Sequence, residues 1–127
     1  MEQQAQRRLA AVLAADVAGY TRLMRLDEEG TINTWWSYRR EIIDPIVAEH
    51  SGRIVKLTGD GFLAEFSSAT NAVLAAHAIQ KSIEPRLKNI SEEKRMLFRM
   101  GVNLGDIFWD DEDIYGDDVN IAARLEG

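Results

Sequence analysis

Arg53-Ile-Val-Lys-Leu-Thr-Gly-Asp-Gly-Phe-Leu-Ala-Glu-Phe66 reads as a chain that folds back on itself at its centre. Arg53 to Thr58 has the make-up of a short strand. Gly61 to Phe66 has that of a second, with Phe62, Ala64 and Phe66 alternating with Leu63 and Glu65. Gly59-Asp60-Gly61 between them is a tight-turn sequence, because Asp-Gly supplies the backbone conformations that close a hairpin. Upstream, Leu9 to Ala15 is a continuous apolar run ending at Asp16, as expected of a central strand buried on both faces. Its alanines would also suit a helix, so periodicity alone leaves both open. Val17 to Thr21 follows as a turn or helix start. From Glu28 to His50 the apolar residues Ile32, Trp35, Trp36, Ile42, Ile43, Ile46 and Val47 recur at helical spacing, with a kink expected at Pro45 and an end at Ser51-Gly52.

Downstream, Ser67 or Ser68 caps a helix whose apolar stripe is Val73, Ala76, Ile79, Ile83 and Leu87, with Pro85 near its last turn. Asn89 to Lys94 is a polar loop. Phe98, Met100, Val102 and Leu104 alternate as a half-buried strand, expected to turn at Gly105-Asp106 into a short strand Ile107 to Trp109. A last helix is expected from Asp117, carrying Val119 to Leu125. The order is strand, helix, strand, strand, helix, strand, strand, helix. It predicts an α+β fold: a ferredoxin-like antiparallel or mixed sheet with helices packed mainly on one face.

The 127 residues suffice for one domain, taken as 1–127. Hydrophobic residues at 46% and charged residues at 28% are globular values. A net charge of −6 argues against a general binder of nucleic acid or anionic membrane, though not against a site for one nucleotide. With no Cys, disulfides, thiol nucleophiles and Cys-ligated metals are excluded, and only His50 and His77 could supply imidazole. No apolar run approaches a membrane span, and the polar, basic start has no signal-peptide core. The expected setting is the cytoplasm.

Asp16 closes the first strand and Asp60 sits at the hairpin tip. If the strand runs beside the hairpin, both carboxylates reach one point. Paired carboxylates with open positions suit Mg²⁺, which keeps room for phosphate oxygens. Taken singly, each Asp is more often a turn or cap residue; taken jointly, they favour the metal site. Gly19 nearby allows close backbone approach. Asp106, Asp110, Asp111, Glu112, Asp113, Asp117 and Asp118 crowd a segment without Lys or Arg, most simply a solvated hairpin with helix-capping acids. The ligand order of a calcium-binding EF-hand is absent. Asn120 and Arg124, four apart on the last helix, share a face. That face is either solvated or aimed at a ribose and a charged phosphoryl group. No Walker A loop, Rossmann fingerprint or kinase motif set is present.

Three of these segments, in this order, resemble the class III nucleotidyl cyclases, in particular bacterial adenylyl cyclases of rhizobial type. They are Leu13-Ala-Ala-Asp16-Val-Ala-Gly-Tyr-Thr21, Lys56-Leu-Thr-Gly-Asp60-Gly-Phe62 and Asp113-Ile-Tyr-Gly-Asp-Asp-Val-Asn120-Ile-Ala-Ala-Arg124. The resemblance implies two divalent metals, Mg²⁺ or Mn²⁺, on Asp16 and Asp60 with the Val17 carbonyl. It implies a cradle for the β- and γ-phosphates around Tyr20 and Thr21. Lys56 and Asp113 match the pair that reads adenine, Asn120 would orient the ribose, and Arg124 would stabilise the transferring phosphate. The implied reaction is that of an adenylyl cyclase: ATP gives cyclic AMP and pyrophosphate at sites shared across a head-to-tail homodimer. A Lys donor and an Asp acceptor match adenine N1 and its exocyclic amine, whereas guanine presents the reverse pattern.

The family's domain extends past the point matching Gly127, through further strands, a helix and a triphosphate-gripping Lys. The chain is thus expected to span roughly the first two-thirds of it, and to be weakly active or inactive by itself. The alternative reading is a cyclase-like module that dimerises or binds nucleotide without turnover. A diguanylate cyclase has less support, because Thr58-Gly-Asp-Gly-Phe62 departs from that family's hairpin.

Overall fold

The computed structural model of the chain describes residues 6–109 and 114–115. The elements are β1 (Gln6–Val17), α1 (Tyr20–Leu26), α2 (Glu28–Tyr38), a π-helical turn (Arg39–Ile43), α3 (Asp44–Glu49), β2 (Gly52–Thr58), β3 (Gly61–Phe66), α4 (Ala69–Leu87), a short 3-10 turn (Glu92–Lys94), β4 (Phe98–Trp109) and β5 (Ile114–Tyr115). The sheet order is β2-β3-β1-β4-β5, and every neighbouring pair is antiparallel. This is the α+β arrangement expected from the sequence, with the mixed alternative resolved to antiparallel among the described strands. The final helix expected from Asp117 lies outside the described residues.

β1 is central, and its alanines are explained by that position. Alternate residues leave opposite faces of a strand. Ala11, Leu13, Ala15 and Val17 enter the main core with Leu23, Trp35, Tyr38, Ile42, Ile43 and Val47 of the helical segments, Ala72, Ala75, Ile79 and Ile83 of α4, and Phe62, Ala64 and Phe66 of β3. Ala10, Val12 and Ala14 join Leu63, with Val55 against them, in a second cluster made only of strand residues. The described helices therefore cover one face of the sheet. Alanine is a weak strand former, so burial on both faces overrides local preference here.

Several expectations are corrected. Gly105-Asp106 is no turn: β4 runs on to Trp109, with Gly105 opposite Ala10 and Asp106 opposite Leu9. β1 begins at Gln6 rather than Leu9 and so supplies ladder partners for the extra residues. Val73 is 55% exposed, and the buried stripe starts one residue earlier, at Ala72 and Ala75. Trp36 is 53% exposed, with the Arg39 guanidinium over its ring at 5.6 Å, while Trp35 takes the core position. The expected kink at Pro45 takes the form of the π-helical turn before it, and the chain stays helical to Glu49. Pro45 has no N–H to give, and its ring clashes with the carbonyl four residues back; widening the preceding turn relieves both. Ser68 is the cap of α4, accepting from the Asn71 N–H at 3.1 Å.

The hairpin is as expected, with Thr58 opposite Gly61 across the Gly59-Asp60 turn. β2 carries one irregularity. Ile54 faces Ala64 and Lys56 faces Leu63, so Val55 is an extra residue, a bulge in the edge strand.

Candidate active site

Cross-strand partners share a face of the sheet, so the register says what the open face carries. Asp16 lies opposite Gly61 on one side and Arg99 on the other. Lys56 lies opposite Leu63, which itself faces Ala14. Asp16, Lys56 and Arg99 therefore stand on the face opposite the helices, Asp16 and Arg99 on neighbouring strands and Lys56 on β2, with β3 between it and β1.

The end of β1 is held tightly against the hairpin tip. The Val17 N–H donates to the Asp60 carbonyl at 2.9 Å, and the Ala18 N–H to the Leu97 carbonyl at 2.8 Å. Gly61 allows the approach: a Cβ there would lie 2.0 Å from the Ala15 carbonyl oxygen. Asp16 and Asp60 are thus brought to one place, Asp16 at the strand end and Asp60 beside the Val17 backbone. Val17 is buried, and Asp60 is half-buried. Gly19, at φ 66, then turns the chain into α1, which begins at Tyr20. The first N–H groups of a helix have no partners inside it. Tyr20 packs against the main core, whereas Thr21 is exposed.

Asp16, Asp60 and the Val17 carbonyl would offer two carboxylates and a backbone oxygen, hard ligands of the kind Mg²⁺ and Mn²⁺ accept. Among the described residues, no three or more His, Asp or Glu side chains gather as a metal cage. The residues present fit a divalent cation that also draws ligands from water or phosphate, not one enclosed wholly by protein.

Arg99 escaped the reading of the sequence. Its Nε donates to Asp16 Oδ1 at 3.0 Å and its Nη2 to Oδ2 at 3.1 Å, a fork-to-fork pair. The signal was present: Phe98, Met100 and Val102 alternate toward the helices, which sends Arg99 to the face of Asp16. A second pair on the same face is Arg53 Nε to Glu65 Oε1 at 2.6 Å, with Glu65 almost fully buried. Lys56 is exposed on edge strand β2. Asp113, Asn120 and Arg124 lie outside the described residues, so their meeting with Lys56 stays an expectation.

Comparison with known proteins gives a family. The chain is 50% identical to the adenylate/guanylate cyclase/hydrolase from Silicibacter pomeroyi, over 96% of its own length and 71% of that chain, with a TM-score of 0.89. It belongs to the class III adenylyl/guanylyl cyclases. It is 48% identical over 94% of its length to "Putative adenylate cyclase 3" of Rhizobium meliloti, of which it spans 20%. The adenylyl cyclase CyaB from P. aeruginosa has the same fold at 26% identity, a TM-score of 0.83 and coverage of 98% and 74%. No family model matches the chain. The sheet of this cyclase domain is the ferredoxin-like one expected, and among its described residues no helix is long and apolar enough to cross a membrane.

Proposed function

We propose that this cyclase domain converts ATP to 3′,5′-cyclic AMP and pyrophosphate, in the cytoplasm, at sites shared by two copies of the domain. The observation that carries the reading is the convergence of Asp16 and Asp60 at the end of β1, fixed by the Val17-to-Asp60 hydrogen bond and the opposition of Asp16 and Gly61. In this reading Asp16, Asp60 and the Val17 carbonyl hold two divalent cations, Mg²⁺ or Mn²⁺. When bound, these supply charge neutralisation for the triphosphate and a lowered barrier for ionising the ribose 3′-hydroxyl.

The chain's own groups do the rest. Backbone N–H groups around Tyr20 and Thr21 receive the β- and γ-phosphates. Lys56 donates to adenine N1 and Asp113 accepts from the exocyclic amine, which favours ATP over GTP. Asn120 holds the ribose, and Arg124 stabilises charge on the α-phosphate as the 3′-oxygen bonds to phosphorus and the bond to the departing pyrophosphate breaks.

Turnover of ATP to cyclic AMP by this chain joined to the segment that completes the family's domain, measured with added Mg²⁺ or Mn²⁺, tests the reading. Asp16→Asn or Asp60→Asn is expected to lower it at least about a hundredfold, the scale of losing one preorganised electrostatic group. Either variant at parental turnover would remove the assignment.

A further inference from the structure

Asp16 is asked to bind a cation, yet both of its oxygens are already engaged by one. The Arg99 guanidinium meets Oδ1 at 3.0 Å and Oδ2 at 3.1 Å. The two partners are unequal in freedom. The Asp16 side chain is 15% exposed, and its backbone is caught between the hairpin tip and β4. The Arg99 side chain is 49% exposed. A cation at Asp16 therefore has to share the carboxylate with the guanidinium or displace it.

We propose that Arg99 is a built-in competitor for the divalent cation at Asp16. The inference rests on Asp16 being a metal ligand, as proposed above. A cation approaching Asp16 meets a carboxylate already paired with a positive charge. Metal binding and departure of the guanidinium are one coupled equilibrium: each weakens the other by the same factor. A bare cation bears the full cost of that displacement. A cation that arrives with a polyphosphate brings negative charge that offsets the guanidinium. The pair thus biases the empty site against free metal and toward the metal–polyphosphate complex.

Binding of Mn²⁺ alone to the 127-residue chain, followed by loss of the free-ion electron paramagnetic resonance signal, tests this without any turnover. Circular dichroism is recorded alongside to confirm the fold. Arg99→Gln, which keeps length and polarity but removes the charge, is expected to bind Mn²⁺ at least about tenfold more tightly than the parent. Arg99→Ala is expected to do the same, and either variant suffices if the other fails to fold. Equilibrium dialysis with added inorganic triphosphate, which separates protein-held Mn²⁺ from the freely diffusing triphosphate complex, is expected to show a larger rise in Mn²⁺ held by the parent than by Arg99→Gln. Asp16→Asn is expected to lose the binding. If Asp16→Asn loses it while folded Arg99→Gln binds Mn²⁺ as the parent does, the competition is overturned and the metal assignment stands. If Asp16→Asn binds as the parent does, the metal assignment falls and the competition with it.

Discussion

Tyr38 shows what a single side chain can cost. It is buried against Phe98, ring centroids 6.3 Å apart, with the Arg86 guanidinium 5.8 Å above its ring. Its hydroxyl has no hydrogen-bond partner among the described residues. Burial pushes its pKa above the usual phenol value of 10.0, and Arg86 pulls part of the way back. A buried hydroxyl without a partner is unfavourable, so Tyr38→Phe is expected to keep stability or raise it by about 1 kcal/mol. A thermal melt checks this; a clear fall in Tm would contradict it. The sign of the pH effect follows from the raised pKa. The folded state prefers the neutral phenol, so its contribution is whole below the unfolded value and is lost as pH rises through the folded one. Stability should therefore fall less steeply at alkaline pH in Tyr38→Phe than in the parent.

At the same scale, Asp16 and Asp60 could be singled out as candidates because an Asp ending an apolar run and an Asp in a Gly-Asp-Gly turn both stand out. Arg99 was hidden among other charged residues, since its importance comes from a strand partner 83 positions away.

Among the elements, the β2–β3 hairpin and β1 could be read from the sequence because turn chemistry and a dense apolar run are local signals. The misreadings share one cause, which is that a distant neighbour overrides a local preference. Gly105-Asp106 would turn a chain that had nothing to pair with, but the start of β1 lies alongside. The stripe of α4 shifts from Val73 to Ala72 because helix and sheet pack closest where the side chains are small. Gly61 is the element-level test. A Cβ there would meet the Ala15 carbonyl oxygen at 2.0 Å and the Asp16 Cα at 2.8 Å, and backbone atoms in a central strand have nowhere to move. Gly61→Ala is expected to destabilise by about 1–3 kcal/mol or more. Urea unfolding would show it as a lower midpoint, and a midpoint equal to the parent's would mean that the hairpin can slide away from β1.

For the whole molecule, the decisive feature is that the described helices lie on one side of the sheet and the candidate chemistry on the other. The face away from the described helices carries the buried cluster of Ala10, Val12, Ala14 and Leu63, flanked by Asp16, Lys56 and Arg99. In the proposed assembly one copy contributes Asp16 and Asp60, and the other contributes Lys56, Asp113, Asn120 and Arg124. Asp16→Ala and Arg124→Ala proteins, each inactive alone, are then expected to regain cyclic AMP synthesis when mixed, because one site of each mixed pair carries both lesions and the other carries none. Mixed dimers verified by differential tagging that stay inactive would place all the groups of a site in one chain. This part of the reading comes from the family resemblance and not from the described geometry, because Asp113, Asn120 and Arg124 lie outside the described residues.

The bulge in β2 has a consequence for how the gene can change length. Counted back from the turn, Leu57 faces Phe62 and Lys56 faces Leu63; beyond the bulge Ile54 faces Ala64 and Arg53 faces Glu65. Loss of the Val55 codon would leave every one of these partners where it is, and the strand would simply straighten. Loss of the Leu57 codon shortens β2 by the same amount. With the turn unchanged and the bulge absorbing the missing residue, it would bring Lys56 opposite Phe62, onto the side of the sheet that the helices cover. Two deletions of equal size in one seven-residue strand thus have opposite fates, one harmless to the site and the other moving the proposed adenine-reading lysine through the sheet.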